Sequence, residues 1–223
     1  MAHDLEELPL FPLHTVLFPY APLQLHIFED RYKQMLADCI DFEQPFGIVL
    51  IRSGSESGTE PVEPYMVGTA VRIVKYSTYD DGQMDISVQG ERRIRIRRID
   101  ESKPYLVGFV EPVVEMELED TPRTDALTMR VRESFEMLIE GTFSRSEFNV
   151  QVRLPDDPTI LSFAIAHFLP LENIEKQRLL ETTDTLERLT QLRQLIERQI
   201  VHAKTPAYYK LTQQHLSDWM NPN

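Results

Sequence analysis

Six histidines and one cysteine are the side chains best suited to catalysis or metal binding, and their spacing assembles neither. His3, His14, His26, His167, His202 and His215 contain no i,i+4 pair, and none stands beside another His or a Cys at zinc-site spacing. As the sole cysteine, Cys39 cannot form an intrachain disulfide, which fits a reducing cytoplasm. No neighbouring base activates it, so it reads as a small hydrophobe on the apolar side of a helix. His167 sits in an apolar segment and reads as a core or helix-end histidine. No GxxxxGK[ST], GxGxxG or GxSxG motif is present, so neither a phosphate loop nor a nucleophile elbow is expected. Carboxylates are abundant, but nothing in their spacing singles out an acid–base pair. The expectation is a non-enzymatic protein that uses no cofactor and no metal.

The other chemistry-bearing cluster is QGERRIRIRRID, residues 89–100, with five arginines from Arg92 to Arg98. Such a stripe could contact nucleic-acid phosphates, an acidic partner or solvent. A net charge of −13 opposes the first, because nucleic-acid binders usually present a basic domain. Residues 1–120 hold 11 Lys and Arg against 22 Asp and Glu, so the positive charge is local. Strand side chains alternate between faces. Arg93, Arg95 and Arg97 would share one face while Ile94 and Ile96 point to the core. Arg92 and Arg98 fall on the Ile side, near the strand ends, where they can snorkel out. Asp80, Asp81, Asp85, Glu91 and Asp100 are available to neutralise the face. Arg93, Arg95 and Arg97 are therefore expected to form a solvated strand face, with an acidic-partner site as the functional alternative. Changing all three to Gln should then leave folding nearly intact. A second candidate partner-binding cluster is Tyr208, Tyr209 and Trp219 in the tail KTPAYYKLTQQHLSDWMNPN. Aromatics this close to a terminus suggest docking, on the chain itself or on a partner.

The elements that position these residues change character along the chain. Residues 8–27 are apolar and punctuated by Pro9, Pro12, Pro19 and Pro22, so they read as extended edge strands with bends. Glu29 and Asp30 open a helix to about Ile40. PFGIVLI, 45–51, reads as a buried strand, and residues 52–65 as a mobile surface loop. From 68 to 114 every signal is β, with a turn at Asp80-Asp81-Gly82 and a break at Ser102-Lys103-Pro104. After an acidic connector at 115–125 the period turns helical. Leu127, Val131, Phe135, Leu138 and Ile139 mark one helix, and Pro158 opens a second. Glu172–Glu181 forms a third, and Asp184 with Glu187 caps a fourth carrying Leu186, Leu189, Leu192, Ile196 and Ile200. The fourth helix is expected to pack on its own domain, although homo-oligomerisation stays open. β first and α after is an α+β pattern with segregated elements. The N-terminus MAHDLEELPL lacks a signal pattern, and no run approaches the ~18 apolar residues of a membrane span. A soluble cytoplasmic protein is expected.

These motifs together resemble a known family. LPLFPLHTVLFP (8–19), PLQLHIFEDRY (22–32), VGTAVRI (67–73), DGQMDISVQGERRIRI (81–96) and YLVGFVE (105–111) match, in order and spacing, the N-terminal domain of Lon proteases. DPTILSFAIAHFLPLENIEKQRLLETTDTLERL (157–189) is similar to its helical part. The resemblance implies a PUA-like antiparallel β pseudo-barrel over residues 1–118, then a helical bundle with a C-terminal tail over 119–223. It also implies a role in recognising substrate polypeptides. The ATPase and peptidase modules of the family begin beyond the equivalent of Asn223, so a stand-alone, non-catalytic substrate-binding protein is expected. Unfolded or extended polypeptides are the expected partners. RNA is the alternative suggested by the PUA-like fold and the arginine strand.

Overall fold

The computed structural model describes residues 5–56, 61–119, 121–143 and 153–203. The chain divides into two compact units, Met1–Val114 and Glu115–Asn223.

In the first unit, β1 (Glu6–Leu13), β2 (Pro22–Ile27), α1 (Asp30–Asp41), β3 (Phe46–Ser53), β4 (Glu63–Pro64), β5 (Val67–Thr78), β6 (Met84–Asp100) and β7 (Val107–Pro112) follow in order. Hydrogen bonding runs β1-β7-β6-β5-β3 and returns from β3 to β1, so five strands close on themselves. The closing pair is parallel, with Leu10 beside Gly47 and Leu13 beside Leu50, while the others in the ring are antiparallel. β1 changes partner half-way. Glu6 to Pro9 pair with β7, and Leu10 to Leu13 pair with β3. A strand that switches neighbours can carry Pro9 and Pro12, which supply no backbone donor. The first part of the segment read as edge strands is thus the closure of the ring, whereas its last part, β2, does lie at an edge. Residues 52–65, read as one loop, begin and end in strand. β3 runs to Ser53, and β4 pairs back onto it through Ile51 and Pro64.

Leu8, Leu10, Val49, Ala70, Ile94, Ile96 and Val110 form a buried apolar cluster inside this ring. Ile94 and Ile96 point inward, as their alternation predicts. Space there is tight: a Cβ on Gly47 would lie 2.8 Å from both Ile94 Cδ1 and Leu10 Cδ2. On α1, Tyr32, Met35, Leu36 and Cys39 are buried.

The other face of β5 and β6 is covered by residues 14–21. Thr69 Oγ1 donates to the Leu17 carbonyl at 2.6 Å. The Tyr20 N–H donates to Gly90 O at 2.8 Å, and the Gly90 N–H donates to Ala21 O at 2.9 Å. A Cβ on Gly90 would lie 2.4 Å from Phe18 O, so only glycine admits this close approach. Thr69 stands directly opposite Arg93 and shares its face. Arg93 is consequently only 3% exposed, whereas Arg95 is half-buried and Arg97 exposed. The expectation that the three form one solvated face is corrected at Arg93. A segment distant from it in sequence lies over that position.

In the second unit, α2 (Pro122–Phe143), α3 (Pro158–Phe168), α4 (Asn173–Glu181) and α5 (Thr185–Ala203) pack into a bundle. Asp157 caps α3 by accepting from the Ile160 N–H at 2.8 Å, and Pro158 fills the first turn, where no donor is needed. Asp184 accepts from the Leu186 and Glu187 N–H groups at 2.8 and 3.2 Å and so opens α5. Val131, Phe135, Leu189, Leu192 and Ile196 are buried, and the Phe135 and Phe168 rings stack at 6.5 Å. His167 ends α3 with its ring edge-on to Phe168. The fully buried Arg188 ties this unit together. Its guanidinium donates to Ser162 Oγ (2.7 Å), the Thr182 carbonyl (2.6 Å) and Thr185 Oγ1 (3.0 Å). It also pairs with Glu115 at 3.3 Å and lies 4.1 Å from the Phe163 ring centroid. Burial lowers the Arg188 pKa, and Glu115 opposes that shift.

Two stability outcomes follow, both measurable by urea denaturation of single variants. Arg93→Gln should cost on the order of 2 kcal/mol, since it alters a packed buried site, while the exposed Arg97→Gln should leave the urea midpoint nearly unchanged. Arg188→Ala should cost about 3 kcal/mol, because it empties a buried site and strips Ser162, Thr185 and Glu115 of one shared partner.

Candidate polypeptide-binding surface

β6 is long enough to serve two assemblies. Ile94 to Asp100 pair with β7 in the ring, while Met84 to Gln89 pair with β2. β5 runs beside β6 from Val67 to Thr78, but its pairing with β3 ends at Val71. β2, the first half of β6 and the second half of β5 therefore form a three-stranded arm continuous with the ring. β2 lies at its edge: among the described strands it pairs with β6 alone, in unbroken register from Pro22–Gln89 to Ile27–Met84.

Strand pairing sorts the arm into two faces. Leu23, Leu25 and Ile27 stand opposite Val88, Ile86 and Met84. On the other face His26 stands opposite Asp85, which stands opposite Ser77. His26 organises the end of this polar face. Its Nδ1 lies 2.7 Å from Asp85 Oδ1 and its Nε2 lies 2.8 Å from Gln83 Oε1. Both partners are acceptors, so the doubly protonated ring satisfies them best. The Asp85 contact, then that of Gln83, raises the His26 pKa above 6.5. The Tyr79 hydroxyl donates to Asp85, which raises the pKa of Tyr79. Donation from Tyr79, then from His26, lowers the Asp85 pKa. The His26 ring stacks near Phe28 and meets Tyr79 edge-on, each with centroids 6.4 Å apart. Phe28 and Tyr79 are nonetheless 56% and 50% exposed, and Tyr76 on β5 is 51% exposed. Phe28 and Tyr79 thus present large aromatic surfaces to solvent beside the end of β2, while Tyr76 belongs to the opposite face.

The arginine cluster is not assembled into a comparable site. Arg92 pairs with Glu6 on β1, Arg97 pairs with Glu111 on β7 at 2.5 Å, and Arg98 lies over the Phe109 ring at 3.6 Å. The expected partners Asp80, Asp81 and Asp85 belong to the opposite end of β6, and Asp85 is engaged by His26 and Tyr79. A bulge at Arg97, with Ile96 opposite Val110 and Arg98 opposite Phe109, further breaks the alternation. Tyr208, Tyr209 and Trp219 lie outside the described residues. Sequence reading missed His26, Phe28 and Tyr79. The available signal was that Tyr79 flanks the Asp80-Asp81-Gly82 turn and Phe28 directly follows an apolar strand.

Other chemistry is weakly supported. Cys39 is buried, and burial followed by the Asp38 charge pushes its thiol up to about 12, away from a reactive thiolate. The pocket bordered by Arg31, Lys103 and Tyr105 has a volume of about 180 Å³, below the ~300 Å³ at which ligand cavities usually begin, and a wider hollow of about 700 Å³ in the helical unit, between Thr124, Thr128, Arg132 and Pro158, is lined by no His or Cys. Among the described residues no group of three or more His, Cys, Asp or Glu is placed to hold a metal, and no helix is long and apolar enough to cross a membrane.

Comparison with known proteins gives a consistent family. A family model described as the ATP-dependent protease La (LON) substrate-binding domain matches residues 7–198. The chain is 28% identical over 208 residues to a Lon protease of Desulfovibrio desulfuricans, covering 89% of this chain and 23% of that protein. It is 26% identical over 196 residues to Lon protease 2 of Syntrophobacter fumaroxidans, covering 87% and 25% respectively. The chain thus spans about a quarter of the length of these relatives. Among solved structures, the Lon N-terminal domain protein from Xanthomonas campestris superposes with a TM-score of 0.62 at 30% identity, over 84% of this chain and 96% of that one. The N-terminal domain of the Mycobacterium avium complex Lon protease gives a TM-score of 0.62 at 21% identity, over 86% and 98%, and shares the fold.

The His26 contacts carry a direct test. In an NMR titration the His26 ring should titrate above 6.5, and Asp85→Asn should bring it back toward that value. An unshifted His26 in the unmodified protein would contradict the geometry.

Proposed function

Because the chain belongs to the Lon substrate-binding-domain family, we propose that it binds segments of other polypeptides and performs no chemistry on them. The observation that carries this reading is the open β2 edge beside the exposed Phe28 and Tyr79. An extended segment can add to an open edge through main-chain hydrogen bonds, which need no particular sequence, while aromatic side chains supply apolar contact. That combination suits unfolded or extended clients, and the proposed setting is the cytoplasm. The arginine strand does not favour RNA. Arg92 and Arg97 already hold carboxylates, Arg93 is buried, and the net charge is −13.

A reduced, alkylated and permanently unfolded polypeptide should bind the full chain with a Kd on the order of 10 μM, read by fluorescence anisotropy. Phe28→Ser with Tyr79→Ser should weaken that binding about fivefold or more while leaving the thermal midpoint nearly unchanged. Absence of binding by the unmodified chain at several hundred micromolar would refute the proposal.

A further inference from the structure

Resting on that reading, the arm also has a chemistry that selects among polypeptides. Apart from His26, which pairs with Asp85, the β2 side carries only acidic charge. Pro22–Ile27 and Met84–Gln89 contain no Lys or Arg, yet they bring Asp85, and the adjoining turn adds the exposed Asp80 and Asp81. Arg72 and Lys75 lie on β5, whose outer half forms the arm's other edge two strands from β2, and Arg72 is paired with Glu91 at 3.1 Å. The two faces at the edge also differ in kind. Leu23, Leu25 and Ile27 continue one face outward, and Gln24 and His26 continue the other.

We infer that the open edge of β2 takes an extended polypeptide in which apolar residues alternate with Lys or Arg. Period-two alternation places every second side chain of an added strand on the same face. Apolar side chains would extend the Leu23–Leu25–Ile27 face. Basic ones would fall on the His26 face, beside the Tyr79 and Phe28 rings and the carboxylates of the turn, where ion pairing and cation–π contact both operate. A second copy of the chain fits this edge poorly, because each copy carries a net charge of −13.

Three synthetic peptides of equal length, alternating Val with Lys, Ser or Glu, provide the test with the full chain at low salt. The Val–Lys peptide is expected to bind at least about fivefold more tightly than Val–Ser, with Val–Glu weakest, and the preference should shrink as salt rises. Hydrogen exchange should slow in residues 23–27 when Val–Lys is bound. Asp80→Asn with Asp81→Asn should remove most of the Val–Lys advantage and leave Val–Ser binding unchanged. Equal binding of Val–Lys and Val–Ser would overturn the charge selection, and protection confined to other segments would overturn the edge assignment. Binding of an unfolded polypeptide without binding of any of the three peptides would also overturn this inference and leave the general function standing. Failure of the unfolded polypeptide as well would remove the general function itself.

Discussion

The parallel pairing of Leu10–Leu13 with Gly47–Leu50 is the constraint on which the first unit rests. Without it, β1, β7, β6, β5 and β3 would form an open antiparallel sheet that does not close on itself. With it, β1 joins the two ends, and Leu8, Leu10, Ile94 and Ile96 acquire a shared interior. Closure removes edges from the ring. It also requires β1 to exchange one neighbour for another within eight residues, and the proline spacing of that segment is compatible with the exchange.

Closing the ring leaves the first half of β6 with a different role. At 17 residues it is longer than the ring needs, and the excess carries β2 on one side and β5 on the other. The open edge is thus displaced from the ring to the arm, where His26, Phe28 and Tyr79 gather. A closed ring attached to an exposed edge suits the proposed capture of extended chains, because the core strands themselves offer no free edge. The second unit achieves its rigidity differently, by burying one cation, Arg188, among hydroxyl, carbonyl and carboxylate partners.

The two candidate sites show how far local pattern reaches. The alternation of residues 92–98 correctly oriented Ile94 and Ile96, because pleat geometry is a property of neighbouring residues. It misjudged Arg93, whose environment depends on residues 14–21, and those are more than 70 positions away. It also paired the arginines with the nearest acids in sequence. Arg92 and Arg97 instead pair with Glu6 and Glu111, brought alongside by β1 and β7, whereas Asp100 does act on its neighbour Arg98. The His26 cluster escaped notice for a similar reason. His26 and Asp85 are 59 residues apart, and only the β2–β6 register sets them side by side.

By itself the amino-acid sequence determined the α+β order, the helix starts at Pro158 and Asp184, the turn at Asp80-Asp81-Gly82 and the inward side of the arginine strand. Each of these depends on side-chain chemistry or periodicity within a few residues. The tertiary structure alone decided that the ring closes through a parallel pair, that Arg93 is buried, and that His26, Phe28, Tyr79 and Asp85 converge beside an open edge. Those outcomes depend on strand register between distant segments. Hydrophobic burial selects that register for the whole unit at once, so no local stretch of sequence encodes it.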